Sequence, residues 1–339
     1  AAIRQYEECV ALLEDHLGVP PQEVTTELCQ TIKEGSASPP PSPEPLLDLR
    51  ALPPPFLEAE ERTEGPIFVA RERELSQLSG FLDASLAGHG GVVFVTGGAG
   101  CGKTALIHEF ARRAQGDCPD LIVAWGNGNA HTGIGDPYLP FREVLTLLTG
   151  DVTAPWEAGA MTGEQALRLW HLLPVTVQGL LDVGPDLIDL FVPGVPLVKR
   201  AHTYEDWPSG SDSRSQLKKL VSRKEARSSS SNLQQSALFE QYTQVLRTLA
   251  SRKPLLLALD DLQWADGGSL NLLFHLGRRI EGSRILIVAA YRPDEVALGR
   301  PASSALGAAA LEREQVQHPL EPIVHEFRRT FGAIDVDLE

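Results

Sequence analysis

Lys103 and Thr104 close an eight-residue run, Gly97-Gly98-Ala99-Gly100-Cys101-Gly102-Lys103-Thr104, with the spacing G-x-x-x-x-G-K-[ST]. Glycines at these positions permit backbone angles that aim several N–H groups at one anion. The Lys103 ammonium then reaches the β- and γ-phosphates of a nucleotide, and the Thr104 hydroxyl sits on Mg²⁺. A second reactive pair, Asp260-Asp261, directly follows the apolar run Leu255-Leu256-Leu257-Ala258-Leu259. Asp260 is suited to hold Mg²⁺, mostly through its waters, because that ion takes oxygen ligands and keeps part of its hydration shell. Asp261 is placed to orient or deprotonate an attacking water. Two carboxylates after an apolar run can also be a solvated strand-end turn. The phosphate loop in the same chain favours the nucleotide reading, so the sequence is read as binding ATP or GTP.

These groups need elements to position them. Val92-Val93-Phe94-Val95 reads as a buried strand entering the loop, and Leu106, Ile107 and Phe110 mark the helix leaving it. The positive end of that helix adds to the anion site. Leu121 to Trp125 is a second strand, closed by Gly126-Asn127-Gly128, and Arg284 to Ala290 is a further one, ended by Tyr291-Arg292-Pro293. Near-continuous apolar strands imply a parallel sheet covered on both faces, hence an α/β fold. Upstream, Leu75, Leu78, Leu82 and Leu86 share one face of a helix. Pro140-Phe141-Arg142 starts another helix, with Val144, Leu145 and Leu148 inward. His131 and Asp136 precede it and are read as solvated loop groups. Ala166 to Val198, cut by Pro174, Pro185, Pro193 and Pro196, reads as several short helices, and 139–205 as a helical insertion. The serine-rich stretch 207–232 carries Arg214, Lys218, Lys219, Arg223, Lys224 and Arg227, and its composition predicts a disordered loop. A helix through Leu238, Tyr242, Val245 and Leu249 leads to the acidic strand. Asp266 caps the next helix, in which Leu270, Leu273 and Ile280 face inward. Val316 to Leu320 reads as an edge strand, and Ile323, Val324, Phe327 and Phe331 as a final helix.

Composition narrows the classes. The 339 residues hold 42% hydrophobic side chains, enough for a sizeable core. A formal net charge of −15 argues against a generally basic nucleic-acid or membrane-surface protein. Cys9, Cys29, Cys101 and Cys118 form no C-x-x-C pair, so they are read as reduced thiols of a cytoplasmic protein. No apolar run approaches the 18 residues of a membrane span, and no membrane partner is expected. The chain starts at Ala1 inside a helical pattern and is expected to be part of something longer. Ile3, Tyr6, Val10, Leu13 and Leu17 share one helix face, and Val24, Leu28 and Ile32 share a second after Pro20-Pro21. Residues 1–34 are thus a helical pair that must stack on a neighbour. The proline-rich 35–62 is a spacer, and 63–339 is the nucleotide domain.

Leu262-Gln263-Trp264-Ala265-Asp266 completes D-D-L-Q-W-A-D. That string, with the phosphate loop, resembles the AAA-type ATPase module of large bacterial transcriptional regulators of the STAND class (signal transduction ATPases with numerous domains). Ile67-Phe68-Val69-Ala70-Arg71-Glu72-Arg73-Glu74-Leu75 resembles the lead-in of the same class, with Ala70 where the family usually has Gly. By this resemblance Val69 and Arg71 contact the nucleotide, and Arg292 sits at the sensor-1 position that reads the γ-phosphate. The implied fold is a three-layer P-loop NTPase of the additional-strand type, with Asp260 on a strand separate from the one beside the loop. Ala2 to Cys29 resembles the last repeat of the bacterial transcriptional activator domain, a module similar to tetratricopeptide repeats; from periodicity alone a generic helical hairpin fits as well. The resemblance implies a cytosolic switch using ATP/ADP and Mg²⁺: closed with ADP, opened by ATP and an inducer toward a homo-oligomer, and reset by slow hydrolysis. DNA would be met only through domains missing from this chain. A conflict or immune STAND protein, or a nucleotide-binding scaffold controlling an attached effector, is the alternative.

Overall fold

The computed structural model describes residues 71–128, 137–208, 210–226, 234–298 and 317–338, all within the compact unit Leu52–Glu339. The expected N-terminal helical pair, the proline-rich spacer, Val69, His131 and Asp136 lie outside the described residues.

Among the described residues, five strands form one parallel sheet in the order β2-β3-β4-β1-β5. They are β1 (Gly91–Thr96), β2 (Ile122–Asn127), β3 (Leu255–Asp260), β4 (Ile285–Tyr291) and β5 (Asp335–Asp337). In register Val95 lies beside Ala290 and Leu257 beside Ile287, so the C-terminal ends of β1, β3 and β4 emerge together. Such an edge is where open α/β sheets gather ligands. A full strand, β4, separates β3 from β1. This is the order that the additional-strand reading requires.

Side chains alternate between two cores, as a period of two dictates. Val93, Val95, Val123, Leu256, Ala258, Leu286 and Val288 face α1 (Glu72–Leu86) and α2 (Lys103–Asp117). Leu75, Leu78 and Leu82 of α1 are buried there, each contributing about 2 kcal/mol by removal from water. Val92, Phe94, Ile122, Ala124, Leu257, Leu259 and Ile287 face the opposite layer. That layer includes α3 (Leu139–Leu148), α5 (Gly163–Val183), α8 (Gln235–Arg252), α9 (Gly267–Gly277) and α11 (Leu320–Phe331), with the short α4 (Thr153–Glu157) and α10 (Pro293–Ala297) at its margins.

Three expectations are corrected. First, Pro174 does not break its helix, because α5 runs unbroken from Gly163 to Val183. A capping box between Thr162 and Gln165 starts it, and Leu169, Trp170, Leu173, Val177 and Leu180 are buried. Tertiary packing there outweighs the lost backbone hydrogen bond. Second, the stretch 207–232 is not wholly a disordered loop: 213–226 form α7 (Ser213–Ala226). Leu217 and Val221, one turn apart, are buried against α5 and α6 (Gly194–Thr203). The cations that suggested disorder are used as ties. Lys224 Nζ donates to Pro185 O and Ile188 O, both at 2.8 Å, and Arg214 donates to Tyr204 O while lying over Trp207. Third, residues 317–320 form no strand. The sheet edge beside β1 is β5, in which Val336 pairs with Val95.

Candidate functional site

The loop Gly97–Gly102 leaves β1 and turns into α2 without a side-chain cap. Gly100 (φ +78) and Gly102 (φ +86) adopt left-handed angles, and nothing stands within 4 Å of where a Cβ would project from either. The loop is therefore an open cradle that any L side chain at these two positions would strain. Lys103 is buried; its Nζ donates to Gly97 O at 2.8 Å and to Gly98 O at 2.7 Å. Ammonium carries three N–H donors, so among the described residues one is left for another acceptor. Gly98 and Cys101 are half-buried, whereas Ala99 is exposed at the crest.

Asp260 ends β3 with only 6% of its surface exposed. Its Oδ2 accepts from the Thr104 hydroxyl at 2.5 Å, and its Oδ1 accepts from Asp261 N–H at 2.8 Å. The first residue of the acidic pair and the last residue of the phosphate loop, 156 apart in sequence, thus meet directly. A hydroxyl and a carboxylate oxygen side by side under a glycine cradle fit Mg²⁺, which takes hard oxygen donors and borrows the rest from phosphate and water. Among the described residues there is no cluster of three His, Cys, Asp or Glu that could hold a metal.

Asp261 adopts φ 52, ψ 41, a left-handed conformation uncommon outside glycine. Gly128, just after β2, packs on it so closely that a Cβ there would lie 2.3 Å from Asp261 O, and Gly128 N–H donates to Asp260 O at 2.9 Å. The Asp261 carboxylate stays partly open to solvent and lies 3.6 Å from Arg292 Nη2. Arg292 follows β4, and its Nη1 pairs with Glu295 Oε1 at 2.6 Å. Arg71 lies near the start of the phosphate loop: its Nη1 donates to Leu338 O at 2.9 Å and to Glu74 Oε1 at 3.0 Å. Leu338 in turn abuts Gly97, where a Cβ would meet the Leu338 Cβ at 3.2 Å. The structure therefore brings Thr104 and Asp260 into contact, and Asp261 within reach of Arg292. Lys103 is held on the loop's own carbonyls.

A family model described as an AAA ATPase domain matches residues 67–288. The chain belongs to that family. As an AAA ATPase domain it is a nucleotide-binding module of the P-loop class, and its five-stranded parallel sheet agrees. The matched region of the AAA domain ends before Arg292, α11 and β5. An uncharacterized protein of Rhizobium meliloti (strain 1021) is 27% identical over 236 residues, covering 68% of this chain and 19% of that protein. The chain thus spans about a fifth of the length of the curated relative it matches.

Several neighbours of the site in this AAA domain escaped the sequence reading. Gln263, 2% exposed, donates its amide N–H to Asp261 Oδ1 at 2.7 Å and accepts from Arg292 N–H at 3.2 Å. Only its place inside D-D-L-Q-W-A-D pointed to it. His108, one turn beyond Thr104, stacks on Trp125 with centroids 3.9 Å apart and planes 17° apart. Loss of water on the stacked face lowers its pKa, with the Asp260 charge opposing, which favours the neutral imidazole. Glu143 accepts from Asn127 N–H at 2.7 Å at the end of β2, and desolvation raises its pKa. No pattern in the sequence linked either to the loop.

Proposed function

We propose that this chain is the ATP-binding, slowly hydrolysing module of a bacterial signal-transduction regulator. The observation that carries the reading is the 2.5 Å contact between Thr104 Oγ1 and Asp260 Oδ2 directly after the open glycine loop. Side chains from two motifs 156 residues apart converge there, which supports one shared ligand.

In this reading the loop N–H groups from Gly98 to Thr104 bind the phosphate chain, and Lys103 turns its ammonium from the loop carbonyls toward the β- and γ-oxygens. Mg²⁺, when bound there, would supply positive charge to offset that of the phosphate oxygens. Thr104 and Asp260 would hold that ion. Asp261 orients the water that attacks the γ-phosphorus and takes its proton as ADP leaves. Arg292, beside Asp261, offers its guanidinium fork to the γ-phosphate. Arg71, at the loop entrance, and Val69 are assigned to the nucleoside side. Because a γ-phosphate would engage Lys103, Arg292 and the ion together, ATP and ADP differ in contact energy, which is what a switch requires.

Adenine rather than guanine rests on the family membership and on the absence of an N-K-x-D string after any strand. The regulatory role is supported by the resemblance carried by D-D-L-Q-W-A-D and by the repeat-like pattern of the first 34 residues. DNA, met only through domains outside these residues, an inducer and a nucleotide-dependent homo-oligomer are the partners this reading proposes.

Asp261→Asn is the direct test. Its turnover of Mg²⁺-ATP should fall by about 10²-fold or more, while affinity measured by titration stays within about threefold. Turnover equal to that of the unmodified chain would remove Asp261 from the mechanism.

A further inference from the structure

We propose that Gln263 is a positioning residue that fixes the Asp261 carboxylate for hydrolysis; this rests on the reading of Asp261 as the water-orienting group.

The Gln263 amide is pinned at both ends. Arg292 N–H can only donate, so the atom facing it must be the Gln263 oxygen, 3.2 Å away. The amide nitrogen is thereby turned to Asp261 Oδ1 at 2.7 Å, with no freedom to flip. The Gln263 backbone is pinned as well. His318, 1% exposed, lies with Nε2 2.9 Å from Gln263 O, and its Nδ1 accepts from Leu320 N–H at 3.2 Å. With Nδ1 accepting, the ring proton is on Nε2 and is donated to Gln263 O. One glutamine therefore joins the end of β3, the end of β4 and the start of α11.

The consequence falls on Asp261. Its left-handed backbone is a conformation that persists only where surroundings over-determine it. Here Trp264 N–H bonds Asp261 O at 2.9 Å, and Gln263 holds the side chain. Oδ1 takes the Gln263 amide and faces Arg292 at 3.6 Å, which restrains the carboxylate and, among the described residues, leaves Oδ2 to meet water. A free carboxylate on an exposed turn would sample several rotamers, and misplacement of a catalytic group by about 1 Å costs on the order of 10²-fold in rate.

A purely structural role, satisfying the Arg292 N–H, makes the opposite forecast for one variant. Gln263→Glu keeps an acceptor for Arg292 N–H but replaces the donor to Asp261 with a like charge. Positioning predicts that kcat for Mg²⁺-ATP drops about tenfold or more, with the dissociation constant within about threefold of the unmodified chain. Gln263→Met, which fills similar volume and loses both bonds, should be impaired no more than Gln263→Glu; it serves as the readout should the Glu variant fail to fold. Should Gln263→Glu turn over at the unmodified rate, or Gln263→Met do so when only it folds, the proposal is overturned. Loss of kcat matched by an equal loss of affinity would overturn it too. An unmodified chain that binds Mg²⁺-ATP without hydrolysing it would instead remove the hydrolytic reading itself, and this proposal with it.

Discussion

Cys101 occupies the turn of the phosphate loop, and its Sγ lies 3.5 Å from where a Cβ on Gly98 would sit. It is half-buried, beside the backbone that would cradle phosphate. A maleimide adduct here would fill the cradle. Alkylation of Cys101 is therefore expected to block nucleotide binding, and bound Mg²⁺-ATP should slow the labelling; Cys101→Ser gives the control for the other thiols. Full labelling with unchanged affinity would show that the cradle lies elsewhere. At this scale the loop and the acidic pair were legible because both are local strings, in which residue types and spacing directly encode the chemistry. Gln263, His108 and Glu143 were not legible as site neighbours. Their partners (Arg292, Trp125 and Asn127) lie on or just after strands other than their own elements, and only tertiary packing brings them near.

Among the elements, the strands were the easiest to read, because a parallel sheet covered on both faces leaves unbroken apolar runs. Helix α5 was misread through Pro174, whose local cost is overridden by a buried face that includes Leu169, Leu173 and Val177. Helix α7 was misread through its serines and lysines. A helix needs few apolar residues when a neighbouring lobe supplies the rest of the contact surface, and Leu217 and Val221 suffice. Leu217→Ala should then cost about 2–5 kcal/mol, the range for truncating a fully buried leucine, measured by urea unfolding. A change below about 0.5 kcal/mol would mean that α7 is not packed on α5 and α6. Strand β5 was missed because three residues, Asp335-Val336-Asp337, carry too short an alternation to register. Its place beside β1 nonetheless matters: Leu338 touches Gly97 and receives Arg71.

Across the whole molecule, the acidic balance of −15 gives an anionic nucleotide no general attraction, so the proposed site relies on local groups: the loop, Lys103 and a divalent cation. No helix among the described residues is long and apolar enough to cross a membrane. We propose that the loop from Gly97 to Thr104 and the β3 carboxylate Asp260 form one nucleotide site. Isothermal titration of Mg²⁺-ATP into the unmodified chain and into Lys103→Ala tests this. One saturable site per chain is expected, with an affinity at least tenfold weaker in the variant, a loss of about 1.4 kcal/mol. Equal affinity in the two proteins, with both folded, would contradict it.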